Sequence, residues 1–257
     1  MATWDPTQYG KYADERDRPF HELVARIGAE QPATVVDLGC GPGPLTASLA
    51  RRWPDARIVG VDNDEAMLAK AVGHTSANVT FEQADIATWA PDGPVDVIVS
   101  NAAFQWVPAH LGLLPRLVDH LTPGGWLAFQ VPANLDDPHH QAIRQVRARP
   151  RWQARLADLP ERTHSSYPAE VYLSLLSDLG LHVDAWETTY VHILHGEDPV
   201  LEWVKGTGLR PVLSRLDADE QREFCAELAP LLRGAYGSRE WGTPFPFRRA
   251  FAVARKH

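Results

Sequence analysis

Little in this chain of 257 residues points outside a soluble globular fold. It has two cysteines, Cys40 and Cys225, and neither sits in a C-x-x-C pattern. A disulfide framework is therefore not expected, nor is a cysteine-based zinc site. No apolar run approaches the ~18 residues of a membrane span. The opening stretch, MATWDPTQYGKYADERDRPF, is polar and charged with no apolar centre, unlike a secretory signal. The expectation is a cytoplasmic protein that does not engage membrane. Basic residues are outnumbered, with a formal net charge of -8. A general nucleic-acid binder would show a basic face, so no nucleic-acid partner is expected. Local arginines can still oppose the overall sign and hold small anions. No internal repeat or low-complexity segment occurs.

Residues 34–131 alternate short apolar runs with helical patterns. TVVDL (34–38), ARIVGVD (56–62), NVTFEQAD (78–85), VDVIVSN (95–101) and WLAFQVP (126–132) read as strands. PLTASLARRW (44–53) has helical spacing of Leu45, Leu49 and Trp53, and Pro44 suits a first helical turn. Asn63 or Asp64 can cap a helix carrying Met67, Leu68 and Ala71. HLGLLPRLVDHL (110–121) reads as a helix bent at Pro115, and Pro123-Gly124-Gly125 as a turn. Such alternation predicts a Rossmann-like, doubly wound, mostly parallel sheet with helices on both faces.

The second half is less regular. AEVYLSLLSDLG (169–180) reads as a helix stopped at Gly180. HVDAWETTYVHI (182–193) and FPFRRAFAVAR (245–255) alternate like strands, which completes a seven-stranded sheet. The stretches 133–165 and 197–237 are expected to be helical insertions forming a substrate cap, the second placed before the last strand. We expect one domain over 1–257, with 34–131 as its cofactor-binding core.

The most informative stretch is VVDLGCGPG (35–43). Gly39, Gly41 and Gly43 let the backbone turn sharply after a strand and come close to a ligand. Open parallel sheets bind ligands at this end of their strands. A dinucleotide-binding turn, G-x-G-x-x-G, would place its third glycine where Pro44 stands. Asp37 would also repel a pyrophosphate, whereas a ligand with an ammonium group would suit it. Asp62 ends the second strand, where a carboxylate can hold a ribose hydroxyl pair. Asp85 and Ile86 follow the third strand. They fit an acid accepting from an adenine amino group and an apolar neighbour against the ring.

VVDLGCGPG, VGVDND, EQADI and VIVSNAAFQWV, in that order, resemble the class I S-adenosylmethionine-dependent methyltransferases. The resemblance implies S-adenosylmethionine as cofactor. It assigns the glycine loop around Asp37, Gly39 and Gly41 to the methionine part, Asp62 to the ribose, and Asp85 and Ile86 to the adenine. Asn101 falls at the strand end below the methyl group, and Asn63 and Met67 join the cofactor-binding set. Tyr9, Tyr12 and Arg16 share one helical face in YGKYADERDRPF. In related methyltransferases such a segment closes over the cofactor, so Tyr9 and Arg16 are expected cofactor contacts, Arg16 through the cofactor carboxylate. The alternative is a surface helix.

Methyltransferases acting on exocyclic amines often carry Asn/Asp-Pro-Pro-aromatic after the fourth strand. Here the run is Asn101-Ala102-Ala103-Phe104, which speaks against amine methylation. No metal-ligand cluster of the catechol-methyltransferase type is evident, and no metal is expected. WDPTQY, NAAFQWVPAH, DAWETTYVH, EWVKGTGLRP and FPFRRAFAVAR together resemble the family that esterifies one carboxylate of trans-aconitate. The expected activity is therefore carboxyl O-methylation of a small polycarboxylate, with no residue serving as acid or base. Arg210, in a break between helices, is the first candidate for a carboxylate clamp. Gln105, Trp106, Tyr190, His192 and Trp203 complete the expected substrate-binding set. Each has a plainer alternative: Arg210 as a helix cap, His192 as a structural histidine, the tryptophans as core. Rival readings are a methyltransferase for another acid, a cofactor-binding regulator and a nicotinamide dehydrogenase.

Overall fold

A computed structural model describes residues 13–159 and 166–257, with side chains described from residue 17 onward. The seven strands are β1 (Thr34–Leu38), β2 (Arg57–Asp62), β3 (Val79–Gln83), β4 (Val95–Asn101), β5 (Leu121–Pro132), β6 (His182–Leu194) and β7 (Thr243–Arg255). They form one sheet in the order β3-β2-β1-β4-β5-β7-β6. The pairs β1–β2, β2–β3, β1–β4 and β4–β5 are parallel, and β7 runs antiparallel to β5. This is the expected doubly wound sheet. The order reverses between β1 and β4, which places the first strand's glycine turn at the switch point.

The helices are α1 (Ala13–Ala25), α2 (Pro44–Arg52), α3 (Glu65–Ala71), α4 (Leu114–Asp119), α5 (Pro138–Arg147), α6 (Pro150–Arg155), α7 (Ala169–Asp178), α8 (Pro199–Lys205), α9 (Arg210–Leu213) and α10 (Ala218–Ala235). The chain divides into two compact units. The described residues of the first fall in Gly10–Ala133, His164–Thr188 and Arg249–His257, and those of the second in Asn134–Thr163 and Thr189–Arg248.

In the first unit, alternate strand residues face opposite sides. Val36, Leu38, Val59, Val61, Ile98, Leu127, Phe129 and Val131 share a core with Leu114, Leu117 and Val118 of α4 and Tyr172 and Leu176 of α7. Their neighbours Val35, Ile58, Val97, Val99 and Ala128 are equally buried. That second face is covered by α1 against β4 and β5, and by α2 against β2 and β3. Burial on both faces explains why β4 reads as an almost unbroken apolar run.

Two local expectations are corrected. The segment 110–121 is not one bent helix. His110–Leu113 forms a 3-10 turn, and α4 starts after it with Pro115 in its first turn, where the missing N–H costs nothing. Pro123-Gly124-Gly125 is not a turn that ends a chain segment. It lies inside β5 as an irregularity, with the pairing to β4 shifting between Val95↔Leu121 and Val97↔Trp126. Gly124 has φ +78, and its N–H is taken by the Lys256 carbonyl at 3.1 Å. In α7 the expected stop holds: Gly180 has φ +81, and the Leu181 N–H returns to the Leu176 carbonyl.

The second unit is built on helices. Its α10 starts with a capping box at Asp217 and Glu220. At the start of α5, the Tyr236 hydroxyl accepts from the His139 N–H at 3.2 Å and lies 2.9 Å from His139 Nδ1. His139 is buried, and burial holds its imidazole well below the usual histidine range.

Candidate functional site

The site is assembled at the carboxyl ends of β1, β2 and β4 in the first unit. Gly39, Gly41 and Gly43 all take positive φ, at +83, +55 and +93. The left-handed conformation is why glycine recurs at alternate positions. The Gly39 and Cys40 N–H groups both bind the Val61 carbonyl, at 2.8 and 3.0 Å. A Cβ on Gly39 would stand 2.2 Å from the Ala103 Cβ, whereas one on Gly41 would meet nothing within 4 Å. One glycine is thus needed for packing against the loop after β4. The other borders open space.

Asp62 staples this loop. Its Oδ2 accepts from the Gly41 N–H at 2.8 Å and its Oδ1 from the Asp64 N–H at 2.9 Å. Each oxygen keeps a lone pair for a hydroxyl. Burial raises the Asp62 carboxyl above its ordinary value, against the pull of these two amides. Asp64, rather than Asn63, caps α3, accepting from the Ala66 and Met67 N–H groups. Asn63 is exposed beside it and Met67 is buried.

Asp37 is 2% exposed. Its Oδ2 accepts from Thr46 Oγ1 at 2.6 Å, and its Oδ1 accepts from no described group. Burial raises its carboxyl to about 7, opposed by the Thr46 hydrogen bond and reinforced by the Asp62 charge. The Cys40 thiol, buried beside two carboxylates, is pushed up and is unreactive.

Asp85 is exposed. Its Oδ1 accepts from the Ala87 N–H at 2.8 Å, which fixes the turn. Ile86 lies near the glycine loop, its Cδ1 3.5 Å from a Cβ built on Gly39. After β4 the chain makes a strained turn, with Ala102 at φ 54. Gln105 Nε2 secures it by donating to the Ala102 carbonyl at 2.5 Å, and Trp106 is 39% exposed. Ser100 Oγ ties β4 to β1 through the Leu38 carbonyl at 2.7 Å.

Sequence reasoning missed the polar chain behind this turn. Arg249 Nη1 donates to Gln130 Oε1 at 3.1 Å, and Gln130 Nε2 donates to Asn101 Oδ1 at 2.6 Å. Arg249, a charged residue of the last strand, is only 4% exposed. The available signal was Gln130, a polar residue inside the apolar strand WLAFQVP.

The structure therefore gathers Asp37, Gly39, Gly41, Asp62, Asn63, Ile86, Asn101, Gln105 and Trp106 around strand ends and loops of one unit. Tyr9 and Tyr12 lie outside the described residues, as does the Arg16 side chain, whose backbone belongs to α1. Tyr190, His192, Trp203 and Arg210 belong to the second unit. There His192 stacks on Trp203 at 4.8 Å and near-parallel to Tyr190 at 6.4 Å, with all three buried. Arg210 is half-buried at the start of α9, in the break after α8.

The sheet order and the glycine turn at its switch point define the class I methyltransferase fold. Structures with this fold include a methyltransferase-like protein from Bacillus halodurans (TM-score 0.59, 14% identity, covering 93% of this chain and 99% of that one). A sarcosine dimethylglycine methyltransferase-like protein from Galdieria sulphuraria also shares it (TM-score 0.58, 16% identity, covering 99% and 92%). Residues 12–185 match the family described as "Methyltransferase domain". Over its full length the chain is similar to proteins named trans-aconitate 2-methyltransferase. The Streptomyces avermitilis protein is 51% identical, covering 100% of this chain and 98% of that one. The Rhodococcus jostii protein is 50% identical, covering 98% and 99%. The Mycobacterium tuberculosis protein is 46% identical, covering 98% and 96%. The chain belongs to the trans-aconitate 2-methyltransferase family, whose cosubstrate is S-adenosylmethionine.

The residues present fit that cosubstrate. Open space borders Gly41, the Asp37 Oδ1 acceptor lacks a described donor, and Asp62 retains acceptor capacity beside the same loop.

Proposed function

We propose that the protein transfers a methyl group from S-adenosylmethionine to one carboxylate of trans-aconitate, giving its monomethyl ester. One observation carries this reading: the likeness to the trans-aconitate 2-methyltransferases runs over 98–100% of the chain, including the helical second unit, where a cofactor-binding motif alone would not reach. Another small carboxylic acid is the second reading.

When bound, S-adenosylmethionine supplies a methyl group on a cationic sulfur. In this reading the glycine loop of Gly39 and Gly41 receives the methionine part, with Asp37 toward its ammonium. Asp62 holds the ribose hydroxyls, with Asn63 and Met67 nearby. Asp85 and Ile86 take the adenine, while Tyr9 and Arg16 cover the cofactor. The acid needs no general base, since a carboxylate is ionised near neutral pH. Holding the acceptor oxygen in line and dry then carries the reaction, and such positioning supplies about 7–11 kcal/mol of barrier lowering. Arg210 is assigned to a substrate carboxylate, with Gln105, Trp106, Tyr190, His192 and Trp203 as further substrate residues. The stretches 133–165 and 197–237 are assigned to substrate recognition within one functional methyltransferase domain over 1–257.

No described helix is long and apolar enough to cross a membrane. We assign the protein to the cytoplasm, acting on a small polycarboxylate without nucleic acid or membrane.

The test is S-adenosylhomocysteine release with trans-aconitate, cis-aconitate, citrate, isocitrate, a fatty acid and a no-acceptor control. Turnover selective for trans-aconitate is expected. Turnover with another acid alone would keep the cofactor and discard the substrate. Cofactor binding without turnover on any acid would move the protein to a regulatory role.

A further inference from the structure

Asn101, Gln130 and Arg249 lie on three neighbouring strands and one sheet face. Asn101, the last residue of β4, is the register partner of Gln130 on β5. Arg249 on β7 is the register partner of Pro132, two residues beyond Gln130 and so on the same face. Gln130 is fully buried, Arg249 nearly so, and Asn101 is half-buried at the strand end.

The polarity of this chain is forced. A guanidinium has donors only, so Gln130 must turn its carbonyl oxygen to Arg249. Its amide NH2 then faces Asn101, which must meet it with Oδ1. The 3.1 and 2.6 Å contacts follow this order. The Asn101 NH2 is left directed away from the relay, and no described residue accepts from it. Without Arg249 either amide could be flipped at little cost. With it, one orientation is selected, and the buried charge polarises both bonds in the same sense.

We propose that Asn101 Nδ2 donates a hydrogen bond to the substrate carboxylate, and that Gln130 and Arg249 are positioning residues that keep it a donor. This rests on the function proposed above and deepens it by supplying a reason for acid over amine acceptors. A carboxylate oxygen only accepts. An attacking amine needs a nearby acceptor for its proton, and a donor fixed at this strand end withholds one. The dipeptide Asn101-Ala102 in place of Asn/Asp-Pro agrees with that division.

The experiment is calorimetric binding of trans-aconitate to enzyme saturated with S-adenosylhomocysteine, alongside KM and kcat. Asn101→Asp keeps the acceptor for Gln130 and replaces the outward NH2 with oxygen. Gln130→Glu offers oxygen to both neighbours, so Asn101 must reverse. Each is expected to weaken acid binding and raise KM by ~30-fold or more, as loss of a hydrogen bond to a charged group does. S-adenosylhomocysteine affinity should fall by much less than acid affinity in both variants, because the lost donor faces the acid. Because both variants remove the same donor, their double variant should be little worse than either alone. Wild-type acid binding in both single variants would overturn the proposal, as would additive losses. A wild-type protein that neither binds nor methylates any polycarboxylate would instead sink the proposed function, before any variant is measured.

Discussion

The Asp62 carboxylate and the Gly41 amide are joined at 2.8 Å, across the gap between the ends of β2 and β1. The residue assigned to the ribose therefore also fixes the loop assigned to the methionine part. The two halves of the cofactor site are mechanically one.

Asp62→Ala should weaken S-adenosylmethionine binding more than it weakens acid binding. It also removes the acceptor of two amides, so a stability loss of about 1–3 kcal/mol is expected. Isothermal titration and chemical unfolding measure both. Normal cofactor affinity in this variant would end the ribose assignment.

Gly39→Ala and Gly41→Ala should separate packing from ligand approach. The first puts a methyl group 2.2 Å from the Ala103 Cβ and should prevent a stable fold. The second meets no neighbour and suffers only the left-handed backbone, about 1–2 kcal/mol. Its methyl group enters the open space given to the ligand. The Gly41 variant should therefore stay folded with cofactor affinity sharply reduced, which thermal melts with and without S-adenosylhomocysteine will show.

Asp37 makes a pH prediction. Its folded value, about 7, lies above that of an unfolded aspartate. As pH rises from about 4 toward about 7, the unfolded chain loses this proton first, so ligand-free stability falls over that window and levels off above it. Asp37→Asn should flatten that part of the profile. An ammonium beside Asp37 favours the ionised form, so cofactor affinity in the wild type should rise through pH 7. Affinity that is flat from pH 6 to 8 would remove the ammonium from this position.

Tyr236→Phe tests the second unit by itself. It deletes the acceptor of the His139 N–H and the partner of His139 Nδ1. A loss of about 1–3 kcal/mol follows from leaving buried polar groups unmet. S-adenosylhomocysteine affinity should not change. Equal loss of cofactor binding would show that the His139–Tyr236 pair serves more than local stability.

Arg210→Ala should raise KM for the acid at least ~10-fold, the scale of one charge-assisted hydrogen bond, with cofactor affinity kept. If cofactor affinity falls in parallel, Arg210 is not a substrate clamp.

Where the chemistry is local, the sequence was legible. Short apolar runs marked β1 to β5, period-two alternation marked β6 and β7, and Gly180 marked the end of α7, because each depends on residues a few positions apart. The Pro123-Gly124-Gly125 reading failed for a non-local reason: Lys256 supplies partners to Gly124 and Gly125 from the far end of the chain, holding them within β5. The burial of Arg249 was hidden for the same reason, since its guanidinium is covered only once β7 pairs with β5.

By itself the sequence determined the alternating sheet, the three left-handed glycines after β1 and the acids that end β2 and follow β3. Each follows from backbone sterics or from side-chain period within a short window. Only the tertiary structure decided which glycine is needed for packing and which borders open space, how Asp37 is buried against Thr46, and which way the Asn101 amide faces. Those depend on register between strands, with Gln130 and Arg249 separated by 119 positions. Hydrogen-bond polarity passes through space between them, and no local pattern encodes it.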